Sequence, residues 1–195
     1  MRVMELIKSL EHLNKPFYSI ADLEKITGLS RKSLYVTLKR LVDKGVLEKI
    51  GPAIYRLFTA KAPVEKIAAS LYVPNYLSFE SLLSRDGILN LVPYTITFAT
   101  TRKTRRITVL GRDIEFRQMK RELFWGYEMK GGICVAKPEK AFLDLVYLAS
   151  KGLASLDLDE LDIKKLSLTK VKKFSKKYPK YTQKYLESFI LLYVI

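Results

Sequence analysis

Cationic and hydrogen-bonding side chains are concentrated at the start of a predicted helix near residue 30. They are Ser30, Arg31, Lys32, Ser33, Tyr35, Val36 and Lys39. The major groove of DNA admits one helix, and donors in the first turn of that helix reach phosphates and base edges. Three further candidates, Lys49, Tyr55 and Arg56, lie on a predicted hairpin that could touch the backbone or the minor groove. The chemistry predicted for this segment is recognition of double-stranded DNA.

Two more cationic clusters occur further along the chain. Arg102, Lys103, Arg105 and Arg106 lie at a second predicted hairpin, where a DNA backbone and a partner protein are both plausible targets. The C-terminal tail carries lysines interleaved with aromatic residues, namely Lys170, Lys172, Lys173, Phe174, Lys176, Lys177, Tyr178, Lys180, Tyr181, Lys184 and Tyr185. The lysines either form a solvated surface or bind phosphates, and the aromatic residues either stack on bases or form a buried stripe.

Few residues are suited to catalysis or to metal binding. Asp113 and Glu115 lie on one face of a predicted strand and could hold Mg²⁺ in a nuclease, although such alternation is routine on a solvated sheet face. Asp144, among apolar helix residues, is predicted to be a cap or a salt-bridge partner. A single cysteine, Cys134, and a single histidine, His12, exclude an internal disulfide and cysteine-based or paired-histidine metal sites. No cofactor, no metal and no catalytic residue are predicted.

The elements that carry the first cluster follow from periodicity and caps. Apolar spacing predicts a helix over residues 3–13, which Pro16 ends. Ser19 with Asp22 resembles a capping box that starts a second helix, and Gly28 suits its end. Ser30 is predicted to cap a third helix that ends at Gly45. Its buried stripe consists of Leu34, Leu38, Leu41 and Val42.

Two predicted strands, 46–50 and 53–57, follow the third helix and are separated by a turn at Gly51 and Pro52. Helices joined by a short glycine-containing turn and followed by a hairpin are typical of a winged helix-turn-helix. We therefore expect residues 1–60 to form a winged helix-turn-helix DNA-binding domain.

The remainder of the chain is predicted to be a second domain, residues 64–195, after a linker at 59–63. Helices are expected over 63–70, 78–85 and from Pro138 to Gly152. Strands are expected over 94–100, 106–110, 114–118 and 133–136. A mostly helical, lysine-rich tail is expected from about residue 158. The predicted fold class is α+β, with a small antiparallel sheet in the second domain.

Composition agrees with a nucleic-acid partner. The formal net charge is +15 at pH 7, which favours a polyanion, although a lysine-rich surface can also serve solubility alone. No apolar run is long enough for a membrane helix, and the first residues lack a signal-peptide core. We therefore expect a cytoplasmic protein without a membrane partner.

Ordered segments of the second domain carry a resemblance to a known family. These segments are 76–83, 96–106, 123–128 and 135–145, the last reading VAKPEKAFLDL. Together with the predicted winged helix, they resemble the AbiEi family of antitoxins from type IV abortive-infection toxin–antitoxin systems. Asp86 stands before Gly87 where many members have histidine, and the lysine-rich tail has no counterpart in the pattern.

The resemblance implies a protein that represses its own operon through the winged helix and counters a nucleotidyltransferase-like toxin through its C-terminal domain. A stand-alone winged-helix regulator, or a nucleic-acid-binding module without a toxin partner, is the alternative. A Mg²⁺-dependent nuclease that uses Asp113 and Glu115 is the third hypothesis.

Overall fold

The structure, a computed structural model, describes residues 3–157 and 159–194. It is a mixed α+β protein with two compact units. The first unit comprises Met1–Ile67 with Ile107–Gly111, and the second comprises Ala68–Arg106 with Arg112–Ile195. No helix within the described ranges combines the length and the apolar character that a bilayer crossing requires.

The helices of the first unit begin and end where local sequence signals place them. Helix α1 spans Val3–Leu13, the short strand β1 spans Tyr18–Ser19, and helix α2 spans Ile20–Thr27. The predicted capping box is confirmed, because the Asp22 amide donates to Ser19 Oγ and the Ser19 amide donates to Asp22 Oδ2. Gly28 ends α2 in the left-handed conformation with φ +66°.

Helix α3 spans Arg31–Asp43 and packs its leucines inward. Gly45, with φ +67°, ends it through two bonds typical of a Schellman motif, from the Gly45 amide to Val42 and from the Val46 amide to Leu41. Ser30 occupies the N-cap position, but its hydroxyl makes no bond to the helix backbone and contacts Ser33 Oγ at 3.1 Å instead. Ser30 is therefore the N-cap residue, as predicted, but its side chain accepts no bond from the helix backbone.

A three-stranded antiparallel sheet completes the first unit, in the order β1-β3-β2. Strand β2 spans Leu47–Gly51 and strand β3 spans Ile54–Leu57, close to the predicted hairpin. Strand β1 was not predicted, because two residues are too few to show alternation. The core joins leucines of α1, α2 and α3 with Tyr18, Tyr55 and Leu57.

Helix α4, Val64–Leu71, precedes the six-stranded sheet of the second unit. The elements that follow are β4 (Asn75–Leu77), α5 (Phe79–Arg85), β5 (Ile96–Thr100), β6 (Arg105–Val109), β7 (Arg112–Gln118), β8 (Tyr127–Lys130) and β9 (Ile133–Ala136). The strand order is β6-β7-β5-β4-β9-β8. The prediction missed β4 and β8 because β4 is very short and β8 is exposed along its whole length.

The predicted small antiparallel sheet is wrong for the second unit. The sheet is larger and mixed, since β5 pairs with β7 and β4 pairs with β9 in parallel. Strand β6 lies between β5 and β7 in sequence but outside them in the sheet, so β7 returns alongside β5 in the same direction. Alternating side chains indicate which face is buried but carry no information on the direction of pairing.

Helix α6 spans Pro138–Ala149, as predicted, and almost all of it is buried. The tail beyond it is not one continuous helix. After a 3₁₀ turn at Ile163–Lys165, α7 spans Leu168–Ser175 and α8 spans Lys180–Val194, with Pro179 before α8. Leu158 and Ile195, at the ends of the predicted tail, lie outside the described residues.

Candidate nucleic-acid interface

Helix α3 has one apolar face and one cationic face. Leu34, Leu38 and Leu41 are fully buried in the core of the first unit. The opposite face exposes Arg31, Lys32, Ser33, Tyr35, Val36 and Lys39. Val36, an apolar residue on the same face, is 70% exposed. The leucine stripe thus fixes the helix on the core and presents the other side to solvent.

The cations of this face are nearly unpaired. Arg31 Nε lies 3.8 Å from Glu24 Oε1, a long and exposed contact that contributes little. Lys32 and Lys39 form no ion pair with any described residue. The helix has no acidic residue in its first turn, so the positive end of its dipole adds to these charges. The face therefore offers unneutralised donors to a polyanion.

The β2–β3 hairpin supports only part of the predicted contact set. Lys49 is exposed on β2, and the turn at Pro52 and Ala53 is exposed beside it. Tyr55 is a core residue, 6% exposed, and burial together with nearby Tyr35 raises the pKa of its phenol. Side chains on β3 alternate, and Tyr55 falls on the core side. Its predicted DNA contact is wrong.

Arg56 is also committed inside the first unit. Its Nε and one terminal nitrogen lie 2.8 and 2.7 Å from Glu48 Oε2 across the hairpin. Two bonds from one guanidinium to a carboxylate on the neighbouring strand stabilise the hairpin, and the Arg56 side chain is only 17% exposed. The predicted role of Arg56 in DNA contact is therefore replaced by a role in the hairpin.

The second predicted cluster lies on and before β6, with all four side chains exposed. Tyr72 organises it, since the guanidinium carbons of Arg102 and Arg105 lie 4.3 and 5.4 Å from the centre of its ring. The Tyr72 hydroxyl also donates to the Lys103 carbonyl at 2.9 Å. Sequence reasoning missed Tyr72, because the chain separates it from these arginines by thirty residues or more.

Arg106 differs from its neighbours because a carboxylate holds it. Its guanidinium bonds Glu115 Oε1 at 2.8 Å, while Arg117 Nε bonds Glu115 Oε2 at 2.7 Å. Arg117 in turn bonds both oxygens of Glu80 at 2.8 Å. Burial acts to raise the pKa of Glu115, but the bonds from Arg117 and Arg106 lower it below the ordinary value.

This pairing argues against the nuclease hypothesis. Both oxygens of Glu115 already accept from arginines, whereas Mg²⁺ needs carboxylate oxygens that are free to coordinate it. A cavity of about 230 Å³ beside Glu115 is lined by Arg106, Arg117 and Glu115, and these charges already pair with one another. Within residues 3–157 and 159–194, no three histidine, cysteine, aspartate or glutamate side chains are grouped to hold a metal. Cys134 is half-buried on β9.

A buried polar network lies at the centre of the second unit. Asp144 accepts from Tyr178 at 2.8 Å, from Tyr76 at 2.9 Å and from Ser78 at 3.0 Å. Lys140, one turn earlier on α6, donates to the same carboxylate, and both side chains are fully buried. The predicted salt-bridge role of Asp144 is thus confirmed.

Burial shifts the pKa values of several groups in this network. Burial lowers the pKa of Lys140 although Asp144 opposes this, and burial beside Asp144 raises the pKa values of Tyr76 and Tyr178. The Lys140 ammonium lies 5.1 Å from the Trp125 ring. Residues from three of the four segments that carry the family resemblance thus meet in one core.

No protein-family model matches the chain, and no curated protein matches it.

Proposed function

We propose that the chain is a DNA-binding transcriptional regulator whose first unit is a winged helix-turn-helix. The observation that carries this proposal is the exposed, unneutralised face of α3, which stands on a fully buried leucine stripe. The order of helices α1 to α3 followed by the β2–β3 hairpin supports the proposal, because helices followed by a hairpin are typical of a winged helix.

In the proposed mechanism, α3 enters the major groove of duplex DNA. Arg31 and Lys32 in the first turn donate to base edges or phosphates, and Ser33, Tyr35 and Lys39 extend the contact along the groove. Val36 supplies apolar contact, as suits a thymine methyl group. Lys49 on the hairpin contacts the backbone. Neither a metal nor an organic cofactor is required.

The test is binding to the DNA upstream of the chain's own gene, followed by fluorescence anisotropy. Replacing Arg31 and Lys32 together by alanine should weaken binding at least about 30-fold, because each of the two lost base contacts costs about 1–3 kcal/mol. The matched control replaces Arg40 and Lys44, at the other end of α3, and removes the same charge. Equal losses in both variants, or binding without preference for the upstream fragment, would contradict the proposal.

We also propose an antitoxin role, in which the second unit counters a nucleotidyltransferase-like toxin. The supporting observation is that Tyr76, Ser78, Lys140 and Asp144, which lie in the segments that resemble AbiEi antitoxins, form a single buried network. Because residues from separate segments meet in one core, we interpret these segments as parts of one structural motif. The role that this resemblance implies for the second unit is neutralisation of the toxin, while the first unit represses the toxin–antitoxin operon.

Co-expression tests the antitoxin role separately. The full chain should restore growth to cells that produce a nucleotidyltransferase-like protein encoded beside its gene. The Arg31 and Lys32 double variant should restore growth equally well, since neutralisation is assigned to the second unit. Absence of such a neighbouring gene, or failure of the chain to restore growth, would favour the stand-alone regulator.

A further inference from the structure

The tail of the second unit carries a dense set of positive charges in a stretch of sequence that contains no acidic residue. No aspartate or glutamate occurs between Asp162 and Glu187. Some lysines in this stretch are held locally, since Lys165 donates to the Gly87 carbonyl, Lys170 lies 3.6 Å from Glu139, and Lys177 lies over the Trp125 ring. Six others are exposed and form no ion pair with any described residue: Lys164, in the 3₁₀ turn, and five on or between α7 and α8, namely Lys172, Lys173, Lys176, Lys180 and Lys184.

We infer that these five residues, here called the lysine surface, form a second nucleic-acid contact that binds the backbone of duplex DNA without regard to sequence. Lysine is a compact point charge, suited to single phosphates rather than to the forked recognition of a base edge. Concentrated, unpaired lysines repel one another, and phosphates relieve this repulsion while the lysines displace the counterions condensed on DNA.

The aromatic residues of the tail decide between a duplex and a single strand. Binding of single strands depends on exposed rings that stack on bases. Here Tyr178 is buried with its hydroxyl on Asp144, and Phe174 packs edge-on against Trp125 at 5.2 Å. Tyr181 is 45% exposed and bonds to Tyr147. Burial of Tyr147, together with this bond, raises the pKa of Tyr147 to about 12.

The rings that alternate with the lysines therefore serve mainly to hold α7 and α8 on the second unit. The groups left available to a ligand are the lysine charges, which suit a regular phosphate backbone better than unstacked bases. This inference goes beyond the function proposed for α3 and does not depend on it, because the residues belong to the second unit.

The experiment measures how the affinity of the full chain for a random-sequence duplex of about 25 base pairs depends on salt. All five lysines of the lysine surface are changed to glutamine, which keeps the side-chain stem and helix propensity. Each lost phosphate contact should reduce the slope of log K against log salt by about 0.9. We expect the slope to fall by at least about 2, and affinity at low salt to fall at least tenfold.

The control removes the same charge elsewhere, by changing the exposed residues Lys8, Lys44, Lys61, Lys120 and Lys130 to glutamine. Circular dichroism establishes that both variants are folded. Equal slopes in the two variants would overturn the inference, because the effect would then reflect net charge alone. Tighter binding to oligo-dT of equal charge than to the duplex would overturn it as well.

The Arg31 and Lys32 variant, measured in parallel, separates the two binding sites. It should lose preference for the upstream fragment and keep most of its affinity for random duplex. If the lysine variant keeps full affinity for random duplex while the α3 variant loses preference, only the further inference fails. If the lysine variant loses that affinity and no variant or wild-type chain shows sequence preference, only the proposal for α3 fails.

Discussion

Helix α3 and the core of the second unit use positive charge in opposite ways. On α3 the cations stand in solvent above leucines, and their nearest acid, Glu24, is 3.8 Å from Arg31. In the second unit Lys140 is fully buried against Asp144, and Arg117 is held between Glu115 and Glu80. Charged groups that leave water require partners, whereas exposed charges do not.

The difference shows which of the many cations are available to a ligand. A net charge of +15 does not distinguish a lysine that stabilises a core from one that binds phosphate. Carboxylates of the second unit neutralise its buried cations and also Arg106. Among the described residues, no carboxylate pairs with Lys32 or Lys39. Four predictions test this division between structural and available charge.

The largest effect is expected at Asp144. Replacing Asp144 by alanine leaves the Lys140 ammonium buried without its carboxylate, which should cost about 3–5 kcal/mol of the free energy of unfolding. Urea titration followed by fluorescence measures this in the second unit, because Trp125 is the only tryptophan of the chain. Changing Lys140 to methionine in the same chain should recover much of the loss. A cost below about 1 kcal/mol would show that the pair is not structural.

The two faces of α3 should separate stability from DNA binding. Leu38→Ala empties a fully buried position and should cost about 2–5 kcal/mol of the free energy of unfolding of the first unit. Val36→Ala, at a position 70% exposed, should change it by less than about 0.5 kcal/mol and still weaken binding to the upstream DNA. Thermal unfolding by circular dichroism and anisotropy titration measure the two effects. A large loss of stability in Val36→Ala would mean that this face packs against protein.

Acid should weaken the second unit through Glu115. Since its pKa is lowered in the folded state, its contribution is present above the ordinary value of 4.5 and is lost as pH falls through the folded value. Glu115→Gln should therefore cost about 1.5–3 kcal/mol at pH 7 and reduce the further loss seen on acidification below about pH 4.5. The control is Glu122→Gln, an exposed partner of Lys120 at 3.8 Å, with an expected effect under about 0.5 kcal/mol. Identical acid profiles for wild type and Glu115→Gln would contradict the assignment.

Local signals explain why the first unit was predictable from the sequence. The capping box at Ser19, the left-handed glycines at 28 and 45, and the leucine spacing of α3 are each encoded within a few residues. The exposure of Arg31, Lys32, Val36 and Lys39 follows directly from that spacing. Tyr55 was misplaced because alternation on so short a strand does not say which side is buried, and Arg56 because its pairing with Glu48 joins two strands.

The second unit depends on contacts between distant residues, which single-sequence patterns do not contain. The parallel pairing of β5 with β7 and the bonds from Tyr76 and Tyr178 to Asp144 join residues far apart in the chain. The sequence does not show whether a given tyrosine hydroxyl or lysine ammonium is buried or exposed. Only the (i, i+4) spacing of Lys140 and Asp144 was visible in advance.

The smallest effect on stability is expected at the two serines that precede α2 and α3, and it should differ between them. Ser19 Oγ accepts from the Asp22 amide at 3.2 Å, and its bond to the Asp22 carboxylate is the main reason that the pKa of Asp22 is lowered. Ser19→Ala should therefore cost about 1 kcal/mol of the free energy of unfolding and raise the Asp22 pKa, as read from an NMR titration. Ser30 makes no bond to the α3 backbone, so Ser30→Ala should leave stability nearly unchanged and act on DNA affinity alone. A loss of stability in Ser30→Ala equal to that in Ser19→Ala would mean that Ser30 caps α3 in solution and is not available to DNA.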